Sequence, residues 1–206
     1  MKAVTILKIK LRANANLEKI VRSMAAMGIF VLIGVVPLCA EEHYQVDSTT
    51  SEVHFALGGA HEVNGTFHVS NGNFTLNRET GVMSGVIAVD ASSGHSDNSG
   101  RDKKMTADQM KAQAFPSVTF APTKFSGPIK DSGDSDVQVQ GTFTLLGQPH
   151  QITVPMTVHR DGGHYIATGS FLVPYVSWGV KDPSIMFLKV AKEVKIDLKF
   201  AGTVTQ

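Results

Sequence analysis

Eight histidines give this chain its widest chemical range, and three of them, His54, His61 and His68, recur every seven positions. Converging imidazoles would ligate zinc or copper, but such a site needs three or four ligands. His54 and His68 fall on the polar faces of neighbouring predicted strands, and His61 falls in the connection "GGAHEVNG". Cross-strand pairing would bring two of them together at most. No HExxH motif and no nearby carboxylate set accompanies them, so no metal site is expected. "HRDGGH" reads as a hairpin turn, with Asp161, Gly162 and Gly163 reversing the chain.

Nucleophilic chemistry finds no better footing. There is no GxSxG elbow, and the serines sit chiefly in loops. Glu52, Asp90 and Asp197 lie opposite the apolar faces of their strands, so inward carboxylate pairs are not expected. Phosphate and dinucleotide loops are absent as well. An enzyme would need two or more polar groups converging inside a pocket; the residues predict neither catalysis nor a cofactor.

The elements that carry these residues are strands. From Val53 onward apolar and polar residues alternate, as in strands with one buried face. "VHFAL" and "GTFHVSNGNFTL" do so, the second around an Asn-Gly turn, and "VQVQGTFTL" and "EVKIDLKF" are the clearest cases. Eight to ten strands with short connections predict an all-β antiparallel barrel or sandwich. In-strand Gly85, Gly141 and Gly169 would let a barrel bend its sheet. Ser92 to Asp102 is a polar stretch long enough for a mobile loop. Thr106 and Gln109 form a capping-box signal for a short helix in "TADQMKAQAF", which would close one barrel end.

The inward candidates are Phe55, Phe67, Phe120, Phe143, Phe171, Ile196 and Leu198, with Met83 and Met156 as adaptable filler. They would either fill a solid core or line a cavity for a hydrocarbon chain. Such a chain gains about 0.8 kcal/mol per CH2 buried.

The first forty residues differ from the rest. Residues 1–23 hold six basic side chains against Glu18, and "MAAMGIFVLIGVVPLCA" then runs seventeen residues without a charge. This is the pattern of a secretory signal peptide cut after Ala40, leaving 41–206 as one domain with no stable membrane span. As a retained anchor the run would reach about 25 Å, short of the roughly 30 Å hydrocarbon core. Lipid attachment at Cys39 is disfavoured by Pro37 and Leu38. Cys39 is the single cysteine, which excludes an intramolecular disulfide. The whole chain has nineteen basic and eighteen acidic residues; without those forty it keeps thirteen and seventeen, a net charge of −4. Nucleic acid is therefore not an expected partner. An open strand edge would allow two chains to pair as a homodimer.

Four pieces in order resemble the YceI-like family of lipid-binding domains. They are "YQVDSTTSEVHFAL" with "HEVNGTF" (Tyr44, Asp47, Ser51, Phe55, His61, Gly65, Phe67), and the stretch with Arg101, Asp102, Met105, Phe115, Pro116 and Phe120. The third, "VQGTFTLLGQPHQITVPMTV", matches at Gly141, Phe143, Leu145 and Gly147, and the last at Phe171, Trp178, Gly179, Lys181, Asp182 and Pro183. The resemblance covers about residues 43–204. It implies an antiparallel eight-stranded lipocalin-like barrel, with a short helix and loops closing one end, exported to the bacterial periplasm. Its apolar interior would hold a polyisoprenoid or other long-chain amphiphile. "SWGVKDPS" would then be a turn at a barrel end, with Trp178 adding to the apolar lining. Lys181 and Asp182 would pair in solvent, or Lys181 and Arg101 would meet an anionic head group at the rim.

Overall fold

The structure, a computed structural model, describes residues 41–59, 62–184 and 189–205. The expected leader, Cys39 and His61 lie outside these residues. No described helix is long and apolar enough to cross a membrane.

The described chain is built from strands β1 (Glu41–Val46), β2 (Glu52–Leu57), β3 (Val63–Asn77), β4 (Met83–Asp90) and β5 (His95–Ser96). A helix α1 (Ser99–Lys104) then runs into a π-helical turn (Met105–Gln109). Strands β6 (Ser117–Ser126), β7 (Gly133–Leu145), β8 (Gln148–Asp161), β9 (His164–Val173) and β10 (Val194–Thr205) complete it. All pairings are antiparallel, and the sheet closes where β10 meets β9, from Val194↔Val173 to Thr203↔His164.

Ten strands make an eight-position ring because β5 stays outside it and β1 and β2 share one place. Both lie between β3 and β10: β1 pairs Glu41↔Asn77 through Gln45↔Asn73 on one side and His43↔Thr205 through Val46↔Gly202 on the other. β2 takes the other half, with Val53↔Phe67 and Ile196↔Phe55 among its partners. The break, "DSTTS", has residues that bond their own backbone. Asp47 Oδ1 accepts from the Thr49 amide at 2.8 Å. Across the break the Asp47 amide donates to Ala201 O at 2.8 Å, and the Ala201 amide donates to Ser51 Oγ at 3.0 Å. These bonds keep the β10 backbone satisfied where the ladder is interrupted. The small strand β5 pairs only with β3 and stays outside the ring.

Three sequence expectations change. The Asn71-Gly72 pair is not a turn: β3 runs straight through it, with a bulge between Val69 and Asn71. A Cβ on Gly72 would lie 2.5 Å from Val46 Cγ2, so the glycine serves a close approach to β1 rather than a reversal. The stretch Ser92–Asp102, expected as a mobile loop, contains β5 and the start of α1. The helix is capped eight residues before the expected cap, at Asn98, whose Oδ1 accepts from the Arg101 amide at 2.9 Å. Thr106 instead donates back to Asp102 O at 3.0 Å, a bond that competes with regular helix. The Asp161–His164 reversal is formed as expected, with Gly162 at φ 57° in the left-handed region.

Candidate binding cavity

Inside the ring lies a cavity of about 260 Å³. That is far above the roughly 10–15 Å³ that one water needs, and an apolar void of even about 150 Å³ can stay dry and take up hydrocarbon. Nine expected interior residues stand on its wall: Phe55, Phe67, Met83, Phe120, Phe143, Met156, Phe171, Ile196 and Leu198. Alternation places them there, because each occupies the inward parity of its strand. Several are accommodated by a glycine opposite. Phe55 pairs with Gly65, where a Cβ would lie 2.5 Å from the phenyl ring, and Met156 pairs with Gly169, where it would lie 2.2 Å from the sulfur.

Trp178 does not lie on this wall. It belongs to a turn, residues 174–179, held by bonds from the Trp178 amide to Pro174 O at 3.2 Å and from the Val180 amide to Tyr175 O at 3.0 Å. Its indole stacks on the His150 ring at 3.9 Å with 6° between planes, and sits 5.8 Å from the Phe143 ring. The expected lining role therefore passes to Phe143, with Trp178 behind it. Arg101 and Lys181 are off the wall too. Arg101 Nε donates to Ser96 Oγ at 3.1 Å and its guanidinium pairs with Asp97. Lys181 is exposed and has no ion pair among the described residues, since Asp182 pairs with Lys192 instead. Lys192, then the Ser184 amide, holds the Asp182 carboxyl down to about 2.

The ends of the cavity were less legible. At one end the π-helical turn and the residue after it supply Met105, Gln109 and Met110, joined by Tyr175 and Val180 from the turn after β9. At the other, Tyr44 stacks on Phe74 at 4.8 Å and meets Tyr165 edge-on at 5.2 Å. Beside this aromatic floor Glu42, 2% exposed, accepts from the Tyr44 hydroxyl at 2.8 Å and from Arg160 Nη1 at 3.0 and 3.1 Å. Arg78 Nη2 lies 2.9 Å from the same carboxylate, and Nη1 pairs with Asp131 at 2.6 Å. Burial, and then the bond to Glu42, pushes the Tyr44 hydroxyl well above its ordinary value. The inward parity of "EEHYQV" marks Glu42 with Tyr44 and Val46, but nothing local points to Arg160, 118 positions away.

Among the described residues no three His, Cys, Asp or Glu side chains come together as a metal site would require. Among the described residues Gln109 is the sole amide or charged side chain on the wall. The arrangement can desolvate an apolar chain.

A family model described as the YceI-like domain matches residues 44–201. A UPF0312 protein of Vibrio vulnificus is 27% identical over 146 residues, covering 68% of this chain and 73% of that protein. Among solved structures, Burkholderia cenocepacia BcnA superposes with a TM-score of 0.62 at 21% identity, covering 78% of this chain and 99% of its own. A polyisoprenoid binding domain from Saccharophagus degradans, implicated in plant cell wall breakdown, gives 0.64 at 15% identity, covering 79% and 98%. The likeness to these solved structures shows a shared fold, and the match across most of the chain shows that this protein belongs to the YceI-like family.

Proposed function

We propose that this protein is an exported binding protein that holds a polyisoprenoid or similar long-chain amphiphile in its barrel, for carriage, storage or stress protection. The observation that carries the reading is the apolar cavity of about 260 Å³ running between an aromatic floor and the π-helical cap. A filled-core interaction domain would have no use for such a void, which forfeits dispersion contacts along its whole lining. The Saccharophagus degradans domain is a polyisoprenoid-binding barrel of like shape, which favours the same ligand class here. Export to the periplasm is supported by the basic-then-apolar start of the sequence.

A head group would remain at the capped end, because the opposite end is closed by Glu42 and its arginines. There Lys181 is the better candidate for an anionic head, since Arg101 is engaged by Asp97. The test is a binding series of saturated amphiphiles differing only in chain length. Each added CH2 tightens binding by about fourfold, the equivalent of about 0.8 kcal/mol, until the cavity is full. Affinity independent of chain length would overturn the reading. Lys181→Ala weakens an anionic amphiphile by about two- to fivefold, the scale of an exposed ion pair, and leaves an uncharged one of equal length unchanged. Equal losses for both would remove Lys181 from the proposal.

A further inference from the structure

We propose that the lipid chain enters and leaves sideways, through a slit between β8 and β9, with the turn after β9 as its gate. This rests on the carrier reading above. The β7–β8 ladder spans both strands, from Gly133↔Arg160 to Leu145↔Gln148, and β9 is paired with β10 along its full length. Between β8 and β9, however, the register stops at Met156↔Gly169. Continued, it would set Pro155 against Ser170, Val154 against Phe171 and Thr153 against Leu172. Pro155 has no N–H to give the ladder, and proline in a sheet marks an edge. Ile152–Pro155 and Ser170–Val173 therefore face each other without a ladder, each held from behind by a complete one. The slit is part of the fold, not a frayed end.

Both lips belong to the cavity wall, through Ile152 and Val154 on one side and Phe171 and Val173 on the other. On the outside Leu172 is 59% exposed, the highest value among the exposed large hydrophobic side chains of the described residues. The turn starts where β9 ends and reaches back over the beginning of β8, where Trp178 covers His150 and, behind it, Phe143. An aromatic stack of this kind can open without breaking any backbone bond. The interruption between β4 and β6 differs: it is pinned at both ends, by Val82↔Lys124 and Ile87↔Phe120, and cannot widen toward the mouth. A slit gated by one indole passes a flexible prenyl or alkyl chain lengthwise.

The test joins the lips. Thr153→Cys and Leu172→Cys, with Cys39→Ser, are linked by a short bis-maleimide, the product is verified by intact mass, and exchange of cis-parinaric acid is followed by stopped flow. Linking slows loading and release by about tenfold or more while Kd moves less than about threefold, because a gate sets rates rather than end points. Trp178→Ala speeds both. A control linked through Ser84→Cys and Thr123→Cys exchanges at the native rate. Unchanged exchange in the linked 153–172 protein overturns the side entry and leaves the carrier reading standing. Failure of every form, linked or not, to bind the probe overturns the carrier reading and the side entry with it.

Discussion

Glu42 is a carboxylate nearly out of reach of water, held by two guanidinium groups and a tyrosine. Such a group is tolerable only while its partners remain, because an uncompensated buried charge costs several kcal/mol. Glu42→Ala strands Arg160, itself 6% exposed, and is expected to lower stability by about 3–5 kcal/mol in urea unfolding. Replacement of the whole cluster by apolar residues of similar volume should cost far less. At the capped end, Asp182 has a folded value near 2, below its ordinary carboxylate range. A depressed folded value means the charged form favours the fold, so its contribution is complete above about pH 4 and vanishes as pH falls through about 2. Hydrogen exchange should show the backbone at 189–192 loosening over that window, and Asp182→Asn should show the same loosening at pH 7. The sequence made Lys181 and Asp182 look like a pair because they are neighbours, whereas the real partner, Lys192, comes from the far side of the connection.

At the level of elements, strand faces were readable and strand interruptions were not. In "TFHVSNGNFTL" the inward residues change from odd to even numbers, Phe67 and Val69 but then Phe74 and Leu76. A turn and a one-residue bulge both produce that shift, and the choice depends on β1 lying alongside, which only the closed ring reveals. The Thr106–Gln109 spacing pointed to a later start, yet Asn98, inside the stretch expected as a loop, makes the capping bond. Asn98→Ala should cost about 1 kcal/mol, read by thermal unfolding, with Asn98→Ser restoring most of it. Where β8 and β9 part, Gly169 is the last paired residue, and a Cβ there would lie 2.7 Å from Pro155 O. Gly169→Ala has to push that backbone aside, and a loss of about 1–3 kcal/mol in urea unfolding is expected.

For the molecule as a whole, alternation tells which side chains turn inward but not whether opposite walls meet. The same phenylalanines fit a filled core or a lined cavity, and only the ring of eight positions, with its inward glycines beside Phe55 and Met156, leaves the centre open. Family resemblance supplied the barrel where periodicity left barrel and sandwich level. The resemblance put Trp178 in a turn at a barrel end, but its stacking on His150 depends on how that turn folds back onto β8. The proposed role of this cavity is to hold a long apolar chain. Its most direct test is native mass spectrometry of the protein produced from the full 206-residue sequence in a bacterial host, followed by organic extraction of anything released on activation. One long-chain isoprenoid or related amphiphile per protein is the expected result. A homogeneous ligand-free protein that also takes up no added isoprenoid would contradict it.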